Sequence, residues 1–182
     1  MYFNLNTPLL QNKNVRGALA YFCYGMENSG ANLTAVNQSF SFFNNSVIFS
    51  GQPATDLLGS YIPGYMEQNP KELLGQGLAA EGLSQMENLT VLIPGDVSYK
   101  VVAENINQLW QKELGLFFTL EFIPNSEIAS RVSKGDFDIA FLSSTPTSSD
   151  PANILKRYKG FGGDIAMHIS MLEQGYLSDY GC

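Results

Sequence analysis

Apolar residues recur along the chain at two periods, and the switch between them marks out its elements. Met1-Tyr2-Phe3-Asn4-Leu5 alternates as a strand does and runs into Asn6-Thr7-Pro8. From Asn12 the period lengthens. Val15, Leu19, Phe22 and Met26 return at helical spacing, and Asn12 is placed to cap the free amide donors of the first turn. The stretch 28–66 is rich in Asn, Ser, Gly and Phe. Only a short strand at 46–49 stands out there, and Gly51-Gln52-Pro53 and Pro63-Gly64 read as turns. Asn69-Pro70-Lys71-Glu72 then announces a second helix, with a cap residue, Pro at the first helical position and an acid in the first turn. Leu73, Leu74, Leu78 and Leu83 supply its apolar side, and Gly75 and Gly77 weaken it by about 1 kcal/mol each relative to Ala.

Beyond Asn88 the pattern becomes regular. It predicts a strand at 89–93, a helix at 97–114 stopped by Gly115, a strand at 116–122, a helix at 126–133 and a strand at 137–142. Asp150-Pro151 starts a further helix through Ile154, Leu155 and Tyr158. Such alternation implies right-handed crossovers and a largely parallel sheet covered on both faces. The expected class is α/β. The strands at 89–93, 116–122 and 137–142 should lie side by side in parallel, with Val91, Ile106, Trp110 and Leu142 buried. No repeat or low-complexity linker divides the chain, so 1–182 is read as a single domain.

Composition narrows the function classes. The 182 residues are 45% hydrophobic and 15% charged, with a net charge of −7, enough apolar material for one core without disulfide staples. That acidity argues against a phosphate backbone or an anionic membrane surface as partner. No apolar run approaches the ~20 residues of a bilayer span. Cys23 and Cys182 make no disulfide framework, and His168 has no Cys or His at metal-ligand spacing, so no metal and no other cofactor is expected. The Gly-rich nucleotide motifs and the GxSxG serine elbow are absent. Met1-Tyr2-Phe3-Asn4 lacks a charged region followed by an apolar one, so no secretory leader is read in this segment.

In an open α/β sheet, ligands bind at the carboxyl ends of the strands. The corresponding loops are 93–98, 123–126 and 143–150. The last carries Ser143-Ser144-Thr145-Pro146-Thr147-Ser148-Ser149, a run of hydroxyls that would either bond a polar ligand or cap its own helix. Trp110 on an apolar stripe reads as core more readily than as a ligand platform. Asp136 and Asp138 flank Phe137 at strand spacing; they would serve as an acid–base pair or, more simply, turn the chain into its strand. The sequons at Asn32, Asn37, Asn44 and Asn88 read as chance in an Asn-rich chain.

Several of these segments carry a resemblance. Asn4-Leu5-Asn6-Thr7-Pro8 followed by Asn12-Lys13-Asn14-Val15-Arg16-Gly17-Ala18-Leu19-Ala20-Tyr21 resembles a signature of the extracellular solute-binding proteins of family 5, the oligopeptide, dipeptide and nickel receptors of ABC importers. Pro70-Lys71-Glu72-Leu73-Leu74, the helix from Ala103 to Gly115 with Trp110, Lys134-Gly135-Asp136-Phe137-Asp138-Ile139-Ala140 and Asp150-Pro151 are similar to later motifs of that family, in the same order. The "DR" pair expected soon after Tyr21 is missing, and the segment 22–66 departs from the pattern.

The resemblance implies one lobe, the second, of a periplasmic-binding-protein-like type II fold. Residues 1–8 would be the hinge-side strand, 9–160 the lobe core and 161–182 a C-terminal helix and tail. It implies a non-catalytic binding role for a peptide or other small polar nutrient, with ligand-lining places at Tyr99, Asn125, Phe141, Ser143, Ser144, Thr145 and Thr147. The charged groups that such receptors carry at the places of Thr147 and Phe141 are lacking, which favours a solute held by neutral polar groups and aromatic faces. The implied partners are the missing first lobe and a membrane permease. The implied location is extracytoplasmic, periplasmic or as a cell-surface lipoprotein, and the exposed cleft face would favour self-association. An alternative is a ligand-sensing or interaction domain of a regulatory protein built on the same lobe. A hydrolase using a serine of 143–149 would have only His168 as base.

Overall fold

The structure, a computed structural model, describes residues 1–24, 48–49, 52–53 and 67–141. They fall into two compact units, residues 48–49 and 52–53 belonging to one and all the other described residues to the second. In chain order the elements are β1 (Tyr2–Phe3), a 3-10 turn (Pro8–Gln11), α1 (Lys13–Tyr24), β2 (Ile48–Phe49), β3 (Gln52–Pro53), α2 (Pro70–Ala80), β4 (Thr90–Pro94), α3 (Val97–Leu109), β5 (Thr119–Ile123), α4 (Asn125–Ser133) and β6 (Ile139–Ala140). A wider π-helical turn, Trp110–Leu114, continues α3 and ends at Gly115.

The larger unit is built on a four-stranded sheet in the order β1-β6-β4-β5. β4 pairs in parallel with β5, from Thr90 opposite Thr119 to Pro94 opposite Ile123. On its other side β4 pairs in parallel with β6, Val91 opposite Ile139 and Leu92 opposite Ala140. The three expected strands are therefore parallel, with β4 in the middle and α3 and α4 as crossovers. β1 adds an antiparallel edge, Tyr2 opposite Ala140 and Phe3 opposite Ile139.

Local chemistry explains the helix starts. Asn12 Oδ1 accepts from the amides of Asn14 (3.0 Å) and Val15 (3.4 Å) at the head of α1. Asn69 Oδ1 accepts from Lys71 (2.9 Å) and Glu72 (3.3 Å) at the head of α2. The two helices touch closely at Gly77, where a Cβ would come within 2.7 Å of Val15 Cγ2. No larger residue fits there without moving α1.

Both faces of the sheet are covered. Leu92 joins Ile123, Ile128, Val132, Phe137 and Ala140 in one buried cluster with α4. Because side chains alternate along a strand, its neighbours Val91 and Ile93 turn to the opposite face, and both are buried. Ile106 and Trp110 are buried as expected, and Trp110 Nε1 donates to the Leu19 carbonyl at 3.0 Å, tying α3 to α1.

Four expectations shift. The strand expected at 137–142 forms a ladder only over Ile139–Ala140. The strand expected from 116 begins at Thr119. Leu116 and Phe118 are buried without joining the ladder, and the Phe118 ring meets Trp110 edge to face at 5.0 Å. Leu83 lies past the end of α2 and is 44% exposed. Gln52 and Pro53, read as part of a turn, pair antiparallel with Phe49 and Ile48 instead. Met26, Pro63-Gly64, Leu142 and the helix expected after Asp150-Pro151 lie outside the described residues.

Candidate functional site

At the carboxyl edge of the sheet β4 and β5 end together, Pro94 opposite Ile123, and β6 ends two residues short of them, Ala140 opposite Leu92. The Gly95 amide donates to the Ile123 carbonyl at 2.8 Å, which carries the β4–β5 pairing one residue past the strands. On the other side the Phe141 amide donates to Leu92 at 2.9 Å. Three of the expected ligand-lining residues follow directly from these strand ends. Tyr99 sits half-exposed in the first turn of α3, Asn125 is the exposed first residue of α4, and Phe141 succeeds β6 with its side chain 6% exposed. Each of the three follows the carboxyl end of a parallel strand, Tyr99 and Asn125 within helices and Phe141 buried. Ser143, Ser144, Thr145 and Thr147 lie outside the described residues.

Backbone geometry makes this edge. Pro124 holds extended backbone before α4, and its carbonyl accepts from the Glu127 amide at 2.9 Å. The Asp96 carbonyl accepts from the Lys100 amide at 3.1 Å at the start of α3. The Lys100 ammonium stands 5.5 Å from the centre of the Phe122 ring and 3.9 Å from Glu104, so this cation is occupied by its own neighbours.

The opposite, amino edge holds an open cavity of about 400 Å³ with a polar lining. Its lining includes Asp136 and Asp138, which the sequence pattern reads as turning the chain into its strand, together with Asn4, Thr7, Glu121 and Arg131. Asn4 is 3% exposed; its Nδ2 donates to the carbonyls of Gly135 (3.0 Å) and Phe137 (2.7 Å), and its Oδ1 accepts from the Asn6 amide (3.0 Å). Asp138 accepts from Thr7 Oγ1 at 2.7 Å and from the Thr90 amide at 2.9 Å, joining the segment after β1 to the start of β4. Gly135 turns the chain between them in the left-handed region, φ 70°, where a side chain would be strained.

Arg131 forks onto Glu121 (2.9 and 3.1 Å) and pairs through Nε with Asp136. The hydrogen bonds from Arg131 hold the Glu121 carboxyl below its ordinary value of 4.5, outweighing desolvation. The same bonds raise the Arg131 guanidinium. Asp136 and Asp138 thus face an arginine and two donors, respectively, rather than each other. They hold structure together and form no shared-proton pair. Among the described residues, no group of three or more His, Cys, Asp or Glu is placed to hold a metal ion.

Solved structures share this architecture. OppA of Burkholderia pseudomallei matches over 91% of this chain with a TM-score of 0.73 at 17% identity. OppA of Listeria monocytogenes, solved with bound peptide, matches over 87% with a TM-score of 0.63 at 21% identity. The fold is that of family 5 solute-binding proteins. The pheromone receptor PrgZ, whose mode of peptide binding is known, matches over 92% with a TM-score of 0.64 at 21% identity. The chain spans about a third of the length of each of these (32%, 32% and 34%). No protein-family profile and no curated protein matches the sequence. At such identities the likeness is one of fold, and it points to the same receptors as the ordered motifs from Asn4 to Pro151.

Proposed function

We propose that the chain is the solute-binding lobe of a substrate-binding protein serving an ABC importer, and that it catalyses nothing. The whole of 1–182 acts as one lobe, and a second lobe closes over the solute against the carboxyl edge of the sheet. Tyr99, Asn125 and Phe141 would line that edge together with Ser143, Ser144, Thr145 and Thr147. The solute is a peptide or another small polar nutrient without a charged anchor. The protein works outside the cytoplasm, beside a membrane permease. The supporting observation is the match of about nine-tenths of the chain to a periplasmic oligopeptide-binding protein of Borrelia burgdorferi and to the pheromone receptor PrgZ. The neutral side chains of Asn125, exposed, and Tyr99, half-buried, follow strand ends at that edge, where open α/β sheets bind ligands.

Affinity of the isolated chain follows from the same reading. Closure of two lobes buries most of a ligand, and one lobe supplies about half of those contacts. If the two-lobed receptor bound at ~1 μM, roughly −8 kcal/mol, half the contact energy would leave millimolar affinity at best. Titration of the ¹⁵N-labelled 182-residue protein with trialanine, followed by amide shifts, tests this. Millimolar binding that moves the amides of Tyr99, Asn125 and Phe141 supports the proposal. Micromolar binding would show a complete site in this chain and remove the single-lobe reading. Shifts confined to the amino-edge residues would move the site elsewhere.

A further inference from the structure

We draw no further inference here: the strongest candidate, the open polar cavity at the amino edge of the sheet between Asn6, Glu121, Arg131 and Asp136, carries nothing because its charged side chains are already bonded to one another within the fold and no second observation points to a ligand in it.

Discussion

At the amino edge of the sheet Asn4, Thr7, Glu121, Arg131, Asp136 and Asp138 are bonded into the fold through their side chains. At the carboxyl edge the fastening is done by backbone amides, those of Gly95 and Phe141, while Tyr99 and Asn125 reach solvent. The contrast separates polar residues that maintain the domain from polar residues that remain available. It also explains why a cavity at the amino edge is a poor binding site. A ligand there would have to displace hydrogen bonds already made, whereas one at the carboxyl edge displaces water.

The sharpest way to break this comparison is Asn4→Ala. The substitution removes the Asn4 donor from the carbonyls of Gly135 and Phe137, each lost partner costing ~1–3 kcal/mol. A stability loss of about 2–4 kcal/mol is expected in urea unfolding followed by circular dichroism. A loss below about 0.5 kcal/mol, the range of an ordinary surface change, would mean the amino edge is not held by side chains at all. Asp138→Ala should cost somewhat less, about 2 kcal/mol, since the residue is half-buried and water reaches part of what is exposed. Asp138→Asn keeps one acceptor oxygen and should recover about half of that loss in the same measurement.

Much of this was legible in the sequence, and the gaps have a common cause. Hydrophobic period reports burial, so β4, α3 and α4 came out within a residue or so of their expected bounds. It does not report pairing. Leu116 and Phe118 keep strand-like alternation because both are buried, Phe118 against Trp110, yet the ladder starts only at Thr119. The amino-edge network was hidden for a different reason. Asn4 and its partners Gly135 and Phe137 stand more than 130 residues apart, and nothing local to Asn4 foretells two carbonyls there. Resemblance flagged both segments as motif positions without giving the cause. The structure supplies it: the two motifs hold each other. At the carboxyl edge the strand order made the location of Tyr99 and Asn125 predictable, because loops after parallel strands must emerge together.

Acid sharpens the comparison within the amino edge itself. Arg131 depresses the Glu121 carboxyl in the folded protein, so the pair contributes stability above about pH 4.5, the ordinary value, and loses it as pH falls through the lower folded value. Both side chains are partly in water, so the contribution is the small one of a surface pair. Wild type should therefore exceed Glu121→Gln slightly in urea midpoint at pH 7, with the gap closing below pH 4.5. A gap that widened on acidification would reverse the sign and exclude Arg131 as the stabilising partner.

The smallest stability effect belongs to the carboxyl edge, and it is the one that discriminates function. Asn125 is exposed and starts α4, whose N-cap, Pro124, makes no side-chain cap bond. Ala is a better helix former than Asn by at most ~0.7 kcal/mol, a preference weakened at the first position of a helix. Asn125→Ala should therefore unfold within about 0.5 kcal/mol of wild type. If Asn125 faces solute, the same change removes one neutral hydrogen bond, worth ~0.5–1.5 kcal/mol, and trialanine binding should weaken about two- to tenfold. An unchanged urea midpoint with weakened titration shifts at Tyr99 and Phe141 would place solute recognition on this edge. Equal loss of both would show that Asn125 maintains the fold as Asn4 does, and the distinction between the two edges would collapse.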